Sequence, residues 1–138
     1  MGRGMRLYLD ACAIIYAHEG IEACRAAVVE WLAKAGSTRG SVIMTSSLSR
    51  LECRVRPLRD NNTTLLTLYD RFFARRSLAL ISVSDPVLDR AMQLRAALNI
   101  KTPDAIHLAS AILNSADVFL TNDASLQRCK ETNVIILG

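Results

Sequence analysis

Short aliphatic runs and longer stretches of helical apolar spacing take turns along this chain. RLYLD (6–10) predicts a buried strand ending on Asp10, and ACAIIYAHE (11–19) follows at once as a helix. Residues 21–35, IEACRAAVVEWLAKA, have helical apolar spacing, and Gly36 is placed to stop them. SVIMTS (41–46) is a β-branched strand running into hydroxyl residues; Ser46 or Ser47 can cap a helix over 47–59. In that helix Leu48, Leu51, Val55 and Leu58 recur at intervals of three, four and three, an apolar stripe of the kind that faces a core. NNTTLLTLYDRFFARR (61–76) predicts another amphipathic helix, LALISV (78–83) a strand, and Asp85 with Pro86 the start of a helix through Leu98. KTPDAIHLAS (101–110) opens a helix running to about Ser115. DVFLTND (117–123) is a strand ending in a turn, ASLQRCK (124–130) a short helix and VIIL (134–137) the last strand.

Strands that alternate with helices in this way argue for an α/β fold, a mostly parallel sheet covered on both faces. No repeat, linker or low-complexity segment interrupts the 138 residues, so one domain is expected, with residues 1–5 frayed. The apolar fraction of 51% and charged fraction of 22% fit a globular chain rather than a disordered one. No apolar run reaches the roughly 18 residues of a membrane span. The first ten residues carry no signal-peptide core, which makes the cytoplasm the expected location. Cys12, Cys24, Cys53 and Cys129 show neither C-x-x-C nor zinc spacing and are expected to be small buried apolar residues. The net charge is +4, and 14 of the 17 basic residues are Arg. Arg makes planar bidentate phosphate contacts, so this bias fits a nucleic-acid partner; codon bias in a GC-rich genome gives the same ratio.

The candidate chemistry lies in the acids. In KTPDAIHLAS, Thr102 can act as N-cap, Pro103 as first helical residue, and Asp104 as a first-turn acid that the helix dipole favours by roughly 0.3–1 kcal/mol. That reading alone makes Asp104 ordinary helix-start chemistry. Functional groups of open α/β sheets, however, gather beyond the carboxyl ends of the strands. Asp10 ends the first strand, and Asp123 follows VFLT. Asp104 starts the helix before that strand, and Glu52 lies a turn and a half into the helix after VIMT. Four such carboxylates would repel one another unless a cation neutralised them. Oxygen donors without a His or Cys ligand set suit Mg²⁺ or Mn²⁺, whose matching chemistry is phosphodiester hydrolysis.

YLDACAIIYAHE, MTSSLSRLE, IKTPDAIHLASAI and DVFLTNDASL together resemble the four motif blocks of the PIN domain family, and more narrowly the VapC-type toxins of bacterial toxin–antitoxin pairs. The resemblance runs from Arg6 to Leu137. It implies a three-layer α/β/α fold and a metal-dependent endoribonuclease. Asp10, Asp104 and Asp123 would ligate or water-bridge the metal, and Glu52 would complete the shell or accept a proton from the attacking water. Thr121 would match the family's Thr that orients the acidic loop, with Asn122 supplying polar contacts. The resemblance further implies a small antitoxin, which can place a basic side chain among the acids, and a homodimer. One departure stands out: two residues after the first Asp the family often has Ser, Thr or Asn, and this chain has Ala11 and Cys12.

Arg56 and Arg59 lie four and seven residues after Glu52, on one helix face, and could hold RNA phosphates. Arg71, Arg75 and Arg76 form a second cluster that a solvated face also explains. His107, one turn after Asp104, can be a supporting group, a general acid or a packed side chain; His18 closes the first helix. The apolar surplus of Leu65, Leu66, Leu68, Tyr69, Phe72 and Phe73 suggests an interface. Three other readings compete: a catalytically inactive PIN module binding RNA or protein, a DNA nuclease of related chemistry, and a Mg²⁺-dependent phosphatase. The last needs an Asp-x-Asp or a Gly-rich phosphate loop, and the first strand ends in DACA.

Overall fold

Five short strands form one parallel sheet in the computed structural model, which describes residues 4–138. They are β1 (Arg6–Leu9), β2 (Val42–Ser46), β3 (Leu78–Ile81), β4 (Val118–Thr121) and β5 (Asn133–Ile136). The order is β3-β2-β1-β4-β5, so β1 is central. Leu7 lies in register with Ile43 on one side and Val118 on the other; Tyr8 lies between Met44 and Phe119. Parallel neighbours need crossovers, and the helices supply them. α1 (Ala11–Glu19) and α2 (Glu22–Ser37) lead to β2. α3 (Ser47–Arg59) and α4 (Thr63–Phe73) lead to β3, and α5 (Asp85–Leu98) and α6 (Thr102–Leu113) lead to β4. A 3-10 turn, Ala124–Arg128, joins β4 to β5.

The pleat divides the core into two. Leu7 and Leu9 of β1, with Val118 and Leu120 of β4, pack under α1, α2, α3 and α4. Tyr8 and Phe119 point the other way, against α5, α6 and Leu126. The result is the expected α/β/α sandwich. No described helix is long and apolar enough to cross a membrane.

Of the stretch expected to fray, residues 1–3 lie outside the described residues. The Met5 N–H donates to Ser41 Oγ at 2.9 Å, and its carbonyl accepts from the Val42 N–H. Gly4 makes that approach possible: a Cβ there would meet the Ser41 nitrogen at 2.1 Å.

Four local expectations are corrected. α2 runs through Gly36 to Ser37, because the following turn rather than a glycine in left-handed conformation ends it. Thr102 is not the N-cap of α6; Lys101 holds that place and Thr102 is the first helical residue. Of the stripe on α3 only Leu48 packs against the core; Leu51, Val55 and Leu58 face outward and are 60%, 50% and 51% exposed. Ser49, Cys53 and Pro57 form the buried face, and their small size lets α3 approach α1. The surplus on α4 is mostly core, with Tyr69, Phe72 and Phe73 buried and only Leu68 among the exposed large residues.

Candidate active site

Each acid is placed by a different element at the carboxyl edge of the sheet, around the switch point where the chain turns from β1 to β2 on one side and β4 lies on the other. Asp10 follows β1 and is 6% exposed. It is the N-cap of α1: Oδ1 accepts from the Ala13 N–H at 3.1 Å and from the Cys12 thiol at 2.8 Å. Asp123 does the same for the 3-10 turn, with Oδ1 accepting from the Ser125 N–H at 2.9 Å and the Ser125 hydroxyl at 2.7 Å. Those bonds hold the Asp123 carboxyl below the usual range. In both residues the capping bonds use Oδ1 alone. Helix capping and a second role therefore do not compete, because a carboxylate has two oxygens.

Asp104 stands in the first turn of α6, partly buried, without a hydrogen bond to its carboxylate among the described residues. Its carboxyl is raised above the ordinary value, first by burial and then by the charge of Asp123; Asp10 and Glu52 add to the rise while His107 opposes it. The four acids thus feel one another at this residue. They do not close on a common point: among the described residues, no three His, Cys, Asp or Glu side chains converge enough to hold a metal ion. As a donor set they fit a hard divalent cation that keeps several waters and touches only one or two carboxylates directly.

Glu52, on α3, reaches over the end of β2. Its Oε1 accepts from His107 Nε2 at 2.6 Å. The root of α3 is pinned by buried hydroxyls: Thr45 donates to the Leu9 carbonyl at 2.6 Å and meets Ser49 Oγ at 2.7 Å, while Ser46 caps the helix through the Leu48 N–H. Thr121 Oγ1 accepts from the Asp123 N–H at 3.2 Å, and the Asn122 side chain donates to the Tyr16 hydroxyl at 3.0 Å. Arg56 and Arg59 turn toward Asp60 at the far end of α3 and are exposed. His18 is structural, its Nδ1 bonded to the Ile14 carbonyl and its ring against Tyr69 and Phe72.

Cys12 is more than a small buried apolar residue. Its thiol donates to Asp10, its sulfur accepts the Asn122 N–H at 3.1 Å, and burial beside Asp10 raises its pKa so that it stays a thiol. It occupies the place of the missing hydroxyl and ties α1 to the loop after β4. A groove of about 700 Å³ lies elsewhere: Asp117, Cys129, Thr132 and Asn133 line it, and it contains none of the four acids.

The PIN domain family model matches residues 7–131. The chain belongs to the PIN domain family. No curated protein matches its sequence. Solved structures share the fold. VapBC2 from Rickettsia felis, bound to a promoter DNA fragment, is 21% identical, with a TM-score of 0.72 over 97% of this chain and 100% of that one. VapBC-1 from nontypeable Haemophilus influenzae is 14% identical, with a TM-score of 0.76 over 96% and 98%. VapC20 of Mycobacterium tuberculosis, described as a sarcin–ricin loop cleaving toxin, is 13% identical, with a TM-score of 0.72 over 88% and 93%.

Within this PIN domain, sequence reading missed two arrangements. One is the Cys12 tie, signalled only by a polarisable residue two places after Asp10. The other is the contact of Tyr8 with His107, 2.7 Å between the hydroxyl and Nδ1, for which a single sequence gives no signal because 99 positions separate the two residues.

Proposed function

We propose that this PIN domain is a metal-dependent endoribonuclease acting as the toxin of a toxin–antitoxin pair in the cytoplasm. The observation that carries the reading is the gathering of four acids from four elements at the carboxyl edge of the sheet, where the half-buried Asp104 is raised first by burial and then by the charge of Asp123, with smaller contributions from Asp10 and Glu52. A cation among such carboxylates would offset both the burial and the repulsion. Mg²⁺ or Mn²⁺ supplies Lewis-acid stabilisation and a lower pKa for water when bound. Asp10, Asp104 and Asp123 would hold it directly or through water; Asp10 and Asp123 would offer the oxygens not used in capping. Glu52 would complete the shell or take the proton from the attacking water. Thr121 would steady the Asp123 loop, Asn122 would brace it against α1, and Arg56 and Arg59 would turn from Asp60 to RNA phosphates. The exposed Leu51, Val55 and Leu58 support a protein partner on α3, such as a small antitoxin or a second copy in a homodimer. The neighbours that are VapBC toxin–antitoxin complexes support the same partner class.

The test is incubation of purified protein with total RNA in Mg²⁺ or Mn²⁺, with cut ends mapped by sequencing. Discrete cuts are expected, with Asp104→Asn or EDTA lowering the rate by more than about 100-fold, beyond the cost of losing a supporting partner. Cuts that survive Asp104→Asn reject the assignment. Binding without cutting would favour an inactive module, and cuts in DNA alone would favour a DNA nuclease.

A further inference from the structure

The buried side chains of Tyr8 and His107 form a chain of hydrogen bonds that ends on Glu52. Tyr8 is fully buried, its ring stacked on Phe119 with centroids 5.1 Å apart and planes 4° from parallel. Its hydroxyl meets His107 Nδ1 at 2.7 Å. His107 Nε2 meets Glu52 Oε1 at 2.6 Å. The Glu52 carboxylate only accepts, so Nε2 carries a proton; Nδ1 accepts from the Tyr8 O–H in a neutral ring and donates to the Tyr8 oxygen in a charged one. Both ring nitrogens are used, and neither is left for a ligand.

The position of this chain in the fold gives it a consequence. Glu52 stands on α3, in the layer with α1, α2 and α4, whereas His107 stands on α6, in the opposite layer. Their bond crosses the carboxyl edge of the sheet. His107 is 3% exposed and Glu52 is 30% exposed, so the imidazole anchors a carboxylate whose other side faces solvent. A long flexible acid held at one oxygen presents the second in one place, without the rotamer entropy that a free Glu gives up on ordering.

We infer that His107, oriented by Tyr8, is a positioning residue that locks Glu52 Oε1 and presents Oε2 to the acidic site. The inference rests on the reading of that site as metal-binding. A packing role for His107 needs shape alone; a positioning role needs the N–H donor at Nε2.

The test measures Mn²⁺ affinity by calorimetry on parent, His107→Leu, His107→Gln, Glu52→Gln and His107→Leu/Glu52→Gln, with melting temperatures and RNA-cleavage kcat and KM alongside. Tyr8→Phe keeps the ring stack and serves if His107→Leu does not fold. Nitrogen NMR on the parent is expected to show His107 protonated on Nε2. Loss of the donor in His107→Leu is expected to weaken Mn²⁺ about tenfold and lower kcat with KM little changed. His107→Gln restores an N–H donor and recovers most of both. The double variant should match Glu52→Gln alone, because the two residues act as a unit. A folded His107→Leu with parental Mn²⁺ affinity and kcat overturns the inference, as does additivity with Glu52→Gln. If the parent binds no Mn²⁺, the site reading falls first and this inference with it, so the two failures are distinct.

Discussion

Asp104 shows how one residue can be read two ways. Its place in the first turn of α6 satisfies the helix dipole, and nothing in the local sequence asks for more. What the surroundings add is burial and the charge of Asp123, with Asp10 and Glu52 behind. In metal-free protein at neutral pH the folded state therefore carries a penalty that the unfolded chain lacks. Asp104→Asn removes it, and the variant should melt a few degrees higher in chelator. A raised carboxyl binds its proton more tightly folded than unfolded, so acidification through the folded value relieves the parent. The two melting curves should converge as pH falls toward and below 3.8, the ordinary value. Added Mn²⁺ should stabilise the parent more than the variant. Equal melting temperatures at neutral pH, measured by thermal shift, would remove the clustered-acid argument. Asp123 runs oppositely: its lowered carboxyl contributes stability above 3.8 that is lost as pH falls through the folded value. The acids at strand ends were legible in sequence because a strand ending on a carboxylate is a local pattern. The Tyr8–His107–Glu52 chain was not, since it joins three elements that only the finished fold brings together.

Among elements, α3 is the informative one. Its boundaries match those read from the sequence, 47 to 59, yet its orientation does not. Periodicity shows that a helix has an apolar face but not that the face turns inward. The packing needed at α1 selects small residues, and Cys53 lies 3.9 Å from the Ala11 carbonyl. Leu51 and Leu58 are left outside. α4 errs the other way, because a helix against both α3 and the sheet buries more than one stripe. The two helices should answer differently to mutation. Val55→Ala, on the exposed face, should change unfolding free energy by no more than about 0.5 kcal/mol. Phe72→Ala, in the core, should cost about 3–5 kcal/mol. Urea denaturation distinguishes them; a large loss at Val55 would mean that the stripe is covered within the monomer.

At the scale of the whole molecule, parallel strands joined by helices were legible because each element announces its own period, while strand order was not. Order depends on which edges the crossovers reach, and no local pattern encodes that. The structure puts the first strand in the centre and the fourth beside it. This arrangement also sets a schedule. A chain growing from its amino end can pair β1 with β2 and β2 with β3 early, but the other edge of β1 waits for residues 118–121. Asp104 and Asp123 arrive in that same late stretch. A partly made chain thus has an open strand edge and half of its acids, so synthesis itself keeps the site unassembled until nearly all of the sheet is available, and places the slow long-range pairing at the end of folding.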